Sequence, residues 1–339
     1  MSLLNDDSLA IAQALCAEAG QPEAVALEQL AGGKNNRVFL VRTQKGPPVV
    51  MKRYHVDARD TRDRLAHEWA FLSYVWERGV RNVPRPLVRD ARHATALYSH
   101  VAGRRLSAAE ISESLVDQAA DFIIAANAAP RHPGELPPGS ESCFSVAAHV
   151  ETVDRRVARL ATLDETAPRR AEAEGLIETH LLPVWQHVRA SIVSHFGAAI
   201  DDLLPPEENC VSPSDFGFHN ALVDDKDRAA FIDFEYAGRD DPAKLVCDFF
   251  CCPEIQVPIR FHQAFVQRLV DGLQLDDAFV MRCNRLLDAY RVKWACIILN
   301  DFLPLGAARR EFANGGERAA RCEAQLEKAT LKLSEITTN

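Results

Sequence analysis

Residues 211–235, VSPSDFGFHNALVDDKDRAAFIDFE, constrain this chain more than any other stretch. Within them Ala221-Leu222-Val223 and Ala229 to Phe234 are short apolar runs, separated by the charged Asp224-Asp225-Lys226-Asp227. Apolar runs of this length around an Asp-rich turn predict a β-hairpin. Such a hairpin folds Asp233, set among Phe231, Ile232 and Phe234, back toward Asn220, which stands five residues after Asp215. Two carboxylates and an amide are thereby held on one small frame.

That set of side chains suits phosphoryl transfer, which asks of a protein a carboxylate to orient the attacking hydroxyl, oxygen ligands for Mg²⁺, and a hold on the nucleotide phosphates. Asp215 suits the first role. Asn220 and Asp233 suit the second, because Mg²⁺ takes hard oxygen ligands such as a carboxylate and an amide carbonyl. The stretch resembles the aminoglycoside phosphotransferase and choline kinase family, relatives of the protein kinases. In that family a catalytic-loop Asp is followed five residues later by an Asn and then by a metal-binding Asp on the next hairpin. Asp233-Phe234-Glu235 followed by Gly238, Asp241-Pro242 and Asp248 resembles the family's closing pattern. The family opens its loop with His-Gly-Asp, whereas this chain has Pro213-Ser214-Asp215.

Asp215-Phe216-Gly217 also spells the tripeptide that marks the metal-binding Asp of protein kinases. On that assignment the catalytic Asp and Asn should lie upstream, and no suitable pair precedes it. Asp215 is therefore read as the catalytic residue.

The resemblance implies further site residues nearer the N-terminus. Gly32 and Gly33 precede the strand-like Arg37 to Val41, and a glycine pair lets backbone approach phosphates closely. Asn36 occupies the place where the family's loop ends in an Asn. Lys52 closes the apolar run Pro48 to Met51, and a lysine on a buried strand needs a partner. In the kinase-like reading it contacts the α and β phosphates and is oriented by a helix glutamate. The helix is expected over 60–78, where Leu65, Ala66, Trp69, Leu72 and Trp76 recur at helical spacing, and Glu68 among them is preferred to Glu77. Ser99, His100 and Val101 fall where the family meets the adenine edge.

Beyond Ser107 the chain reads as mainly helical. A helix is expected over 115–129, then a Pro- and Gly-rich loop over 130–142. Val146 to Leu160 and Leu181 to Phe196 each carry an apolar stripe, and the charged 164–174 joins them into a helical hairpin. A short N-terminal helix is expected over 7–20, and another over 286–298 ending near Asn300-Asp301. Asp248 is expected to brace the catalytic loop, and the charged tail 311–339 to form a solvated helix.

With 339 residues, 47% hydrophobic and 26% charged, the chain is long enough for two lobes. A net charge of −9 argues against a nucleic-acid partner. No stretch reaches the about 18 apolar residues a membrane span requires, so no membrane partner is expected and the cytoplasm is the expected location. Nine scattered cysteines suit free thiols in a reduced compartment. Cys247, Cys251 and Cys252 form no Cys-x-x-Cys pair, so they read as helix packing rather than a zinc site.

Together these imply an α+β, two-lobed, protein-kinase-like fold. Residues 1–101 form a sheet-rich nucleotide-binding lobe and 102–339 a larger helical lobe for catalysis and acceptor binding. The implied activity is ATP- and Mg²⁺-dependent transfer of the γ-phosphoryl group to a hydroxyl of a small molecule. A sugar, an amino sugar, an aminoglycoside and a choline-like alcohol all stay open, with Glu254 and Asp301 as carboxylates available to an amine or to hydroxyls. The rival is a silent nucleotide-binding scaffold, and a protein kinase is disfavoured because no Ala-Pro-Glu follows Asp233.

Overall fold

Alternating burial along Arg37–Thr43, with Phe39 and Val41 inward, marks a strand with one face on a core. In the computed structural model, which describes residues 7–30, 36–56, 62–128, 136–304 and 318–336, this strand is β2 of a five-stranded sheet. Its partners are β1 (Ala24–Leu30), β3 (Val49–Arg53), β4 (Pro86–Asp90) and β5 (Thr95–Ser99), in the order β1-β2-β3-β5-β4 and antiparallel throughout. Helix α1 (Asp7–Glu18) covers one face, where Ala12, Leu15 and Cys16 meet Phe39, Val41, Met51 and Leu97.

Helix α2 (Arg64–Glu77) is started by Asp63, whose carboxylate accepts from the Ala66 amide at 2.9 Å. It crosses the lobe boundary: Phe71, Leu72 and Val75 share one apolar cluster with Phe122, Phe231 and Phe234 of the larger lobe. The Phe231 amide also donates to the Asn82 carbonyl at 2.8 Å. The sheet and the catalytic hairpin therefore have a common neighbour in α2.

The larger lobe contains α3 (Glu113–Ala126), α4 (Val146–Arg159), α5 (Arg170–Leu176), α6 (Leu182–Phe196), α7 (Pro242–Cys251), α8 (His262–Leu273), α9 (Asp277–Ile298) and α10 (Arg318–Ser334). Two short ladders sit among them: β6 (Cys210–Ser212) with β9 (Gly238–Asp240), and β7 (Ala221–Val223) with β8 (Ala229–Phe231). The hairpin expected between Ala221 and Phe234 is this second ladder, though its strand ends at Phe231.

Two expectations need correction. The charged 164–174 is not simply a connector: the helix begins at Arg170 and runs through a π-turn at Ile177–Leu181 into α6. An Arg170–Glu174 ion pair at 2.7 Å supports its first turn, and Ala173 and Ile177 are buried beneath it. The tail is not a purely solvated helix either. In α10 Cys322, Leu326, Ala329 and Leu333 recur at helical spacing and are buried against the α9 region. Charge on the other faces masked this stripe.

Candidate active site

The catalytic loop is built between two ladders. Ser212 ends β6, and its hydroxyl accepts from the Ser214 amide at 3.1 Å. Ser214 stands where the family has glycine and adopts φ +65°. That is a left-handed backbone, which glycine would meet without strain and serine meets with some. The Asp215 carbonyl then accepts from Asn220 Nδ2 at 3.0 Å. Phe216 and Phe218 point into the aromatic core with Phe122, Phe231 and Phe249, so the Asp-Phe-Gly tripeptide is anchored by packing.

The hairpin brings Asp233 beside this loop through a bond from the Ile232 amide to the Asn220 carbonyl at 2.9 Å. Asp233 adopts φ +69°, a conformation that Asp tolerates better than most residues. Its Oδ1 lies 2.5 Å from Lys52 Nζ, which also meets Glu68 Oε2 at 2.6 Å. Glu68 is fixed in turn by the Tyr54 hydroxyl at 2.7 Å and by the Phe234 amide at 3.3 Å, whereas Glu77 is exposed. Burial opposes the Lys52 charge, but the Asp233, Glu68 and Glu235 carboxylates outweigh it and hold its pKa well above the ordinary lysine value.

Lys52, Glu68 and Asp233 are thus brought together directly, and Asp215 and Asn220 adjoin them through the hairpin. Asn36 bonds none of these directly: its side chain donates to Glu235, whose charge also acts on Lys52, and accepts from the His55 amide at 3.2 Å. Ser99 ends β5, with its amide donating to the Arg85 carbonyl at 2.9 Å and its hydroxyl accepting from the Arg85 amide. His100 and Val101 follow, outside the ladders. Gly32 and Gly33 lie outside the described residues.

Asp248 does not brace the catalytic loop. Its carboxylate is taken by Lys293 at 2.7 Å, by Trp294 and by Lys244, which ties α7 to α9. Among the two carboxylates considered for the acceptor, Glu254 is exposed in the loop after α7, and Asp301 is buried in the turn that ends α9.

Sequence reasoning missed three contributors. Tyr54 lies two residues beyond Lys52, just past the end of β3, and its hydroxyl donates to Glu68. Glu235 anchors Asn36. His219, four residues after Asp215, places Nε2 3.3 Å from Asp215 Oδ1. The i,i+4 spacing was its only signal, and a loop gives that spacing little meaning.

The donor set fits Mg²⁺. Asn220 commits Nδ2 to the Asp215 carbonyl and so retains its carbonyl oxygen as a ligand, and Asp233 adds a carboxylate whose side chain is 40% exposed.

The model of the phosphotransferase enzyme family (APH) matches residues 26–286. The chain belongs to that family. The match runs from β1 into α9 and so includes Lys52, Glu68, Asp215, Asn220 and Asp233. Comparison with curated proteins finds no match.

Solved structures of small-molecule kinases and phosphotransferases resemble the chain over nearly its full length. A choline kinase from Cryptosporidium parvum Iowa II aligns over 96% of this chain and 95% of its own, at 11% identity and a TM-score of 0.58. An ethanolamine kinase from Plasmodium vivax aligns over 98% and 91%, at 12% identity and 0.59. A spectinomycin phosphotransferase, solved with ADP and spectinomycin, aligns over 92% and 94%, at 12% identity and 0.59. At these identities the likeness establishes the protein-kinase-like fold of this phosphotransferase, an α+β architecture with a sheet-rich smaller lobe. Among the described residues no helix is long and apolar enough to cross a membrane.

Proposed function

We propose that this phosphotransferase is an ATP- and Mg²⁺-dependent kinase acting on a hydroxyl of a small molecule. The observation that carries the reading is the Lys52–Glu68–Asp233 chain standing beside the Asp215–Asn220 loop. Lys52, held by Glu68, serves the α and β phosphates. Asp215, with its side chain 37% exposed, orients the acceptor hydroxyl and takes its proton. The acceptor oxygen bonds to the γ phosphorus as the bond to the β–γ bridging oxygen breaks, which leaves ADP. Asn220 and Asp233 hold Mg²⁺, which when bound neutralises charge on the phosphates. Gly32, Gly33 and Asn36 are assigned to the phosphate side, and Ser99, His100 and Val101 to the adenine edge.

On this reading residues 1–101 bind the nucleotide, and 102–339 supply catalysis and the acceptor pocket. All nine cysteines are buried and outside any disulfide, which suits a reducing compartment and supports a cytoplasmic protein. The test is ATP consumption, with and without Mg²⁺, against a panel of sugars, amino sugars, aminoglycosides and choline-like alcohols. Mg²⁺-dependent phosphorylation of one of them supports the proposal. Nucleotide binding indifferent to Mg²⁺, with no turnover across the panel, would replace it with a silent scaffold.

A further inference from the structure

None of these roles uses Gly217 or His219, yet both lie within the catalytic loop. The His219 ring is 17% exposed and held between two partners: Nε2 is 3.3 Å from Asp215 Oδ1, and Nδ1 is 3.6 Å from Cys252 Sγ. Its backbone carbonyl accepts from Arg105 at 2.8 Å. Arg105 lies six residues past the end of β5 and Cys252 directly follows α7, so His219 is set by elements far apart in sequence.

Gly217 supplies an independent observation. Its φ of 172° and ψ of 172° are extended backbone that any residue adopts, so conformation does not explain a glycine here. A Cβ at this position would stand 2.7 Å from His219 Nδ1 and 3.0 Å from Cε1, closer than such atoms approach. The missing side chain leaves room for the ring, and Asp215 is thereby addressed at two points: its carbonyl by Asn220 and its carboxylate by His219.

We propose that His219 is a positioning residue for Asp215, its ring fixing the rotation of the carboxylate while Gly217 and Cys252 fix the ring and Arg105 holds the backbone that carries it. The inference rests on Asp215 being the residue that orients the acceptor. A carboxylate turned away from the acceptor hydroxyl loses alignment rather than affinity, so the effect falls on turnover and not on nucleotide binding.

The test uses the full chain. ATP turnover and Mg²⁺–nucleotide affinity are measured for the parent, His219→Ala, His219→Gln, Gly217→Ala, Asp215→Asn and the Asp215→Asn/His219→Ala pair. His219→Ala and Gly217→Ala are expected to lower kcat about 10- to 100-fold, with nucleotide Kd within about twofold. His219→Gln, which keeps a donor, recovers part of the loss. In the Asp215→Asn background His219→Ala has no further effect, because the ring acts only through that carboxylate. Parent-like turnover in His219→Ala, or an equal fractional loss in both backgrounds, overturns the proposal. A parent that consumes no ATP defeats the kinase reading separately. The His219 side-chain ¹⁵Nε2 resonance then decides the contact: Asp215→Asn shifts it if the ring holds the carboxylate, and an unmoved resonance overturns the inference.

Discussion

Lys52 and Lys244 are both buried lysines held by two carboxylates, yet they serve different ends. Lys52 meets Glu68 and Asp233 at 2.6 and 2.5 Å, and Lys244 meets Asp240 and Asp248 at 2.8 and 3.4 Å. Burial opposes both charges and the carboxylates outweigh it, so the pKa of each lies above the ordinary lysine value. Neither burial nor titration therefore separates them. What separates them is the acid: the Asp233 side chain is 40% exposed, while that of Asp240 is 0% exposed. The second network continues inward through Asp241 to His149 and Arg282, and through Asp248 to Lys293. A charge network with one member facing water is placed to exchange partners, whereas a sealed one ties helices together.

The largest effect should come from the open network's neighbour. Asp215→Asn is expected to lower turnover about 10²- to 10⁴-fold while leaving nucleotide affinity and the unfolding midpoint nearly unchanged. Near-parental turnover in that variant would move the catalytic role elsewhere.

The acids of the two lysines provide the direct contrast. Asp240→Ala leaves Lys244, which is sealed from water, with only the longer 3.4 Å contact to an Asp248 shared with Lys293, and should destabilise the protein by about 3–5 kcal/mol, read by chemical denaturation. Asp233→Asn keeps a side chain that tolerates φ +69°, and Lys52 keeps Glu68, so stability should change by no more than about 1 kcal/mol. It should instead lose Mg²⁺-dependent nucleotide binding by calorimetry, and Asn220→Ala should show a smaller loss of the same kind. Equal destabilisation by Asp240→Ala and Asp233→Asn would erase the distinction.

A pH series sharpens it further. Burial works against the charged His149 ring, but the Cys143 sulfur and the Asp241 carboxylate outweigh it and raise its pKa from 6.5 to about 10. The folded state therefore holds a proton that the unfolded chain releases above about 6.5. Its stabilisation is complete below that value and is lost as pH rises through the folded pKa. Burial opposes the Cys143 thiolate, but the same contact with His149 outweighs it and lowers the Cys143 thiol pKa, which works in the opposite sense. Unfolding free energy should therefore fall between pH 7 and pH 9 by less than the roughly 3 kcal/mol that His149 alone would give, and His149→Phe should flatten that slope. A parent protein with no such slope would argue against a charged ring in the sealed network.

The smallest effect concerns the loop's departure from the family pattern. Ser214→Gly relieves a left-handed serine while loosening the unfolded chain, and the two nearly cancel. Stability should move by less than about 1 kcal/mol and turnover by less than about twofold. A large gain in turnover would mean that Ser214 misplaces Asp215.

The parts legible in the sequence were those written as short-range chemistry. Asp215, Asn220 and Asp233 could be read because a tight loop and hairpin convert fixed spacing into fixed geometry. The preference for Glu68 followed from its place among apolar helix positions, which turned it inward toward the lysine strand. Contacts between distant segments were not legible. Asp248 faces α9 rather than the catalytic loop because the direction of a helix carboxylate depends on the partner helix. The buried stripe of α10 was hidden by the charges around it, and His219 gained its meaning only when Cys252 and Arg105 converged on it.

One close approach limits how the smaller lobe can turn. Just past the linker, Arg104 exchanges both backbone hydrogen bonds with Val223, at 2.9 Å each. Gly103 runs so near β7 that a Cβ would stand 3.0 Å from the Val223 carbonyl and from Leu222 Cβ. The chain from Arg104 onward is thus welded to the catalytic hairpin, while Ser99 is still locked into its sheet. Only four residues, His100 to Gly103, lie between the two welds, so they form the pivot for any swing of the sheet. With so short a pivot, and with the Phe231 amide bonded to the Asn82 carbonyl on the other side, the smaller lobe is tethered to the catalytic hairpin at two separate points.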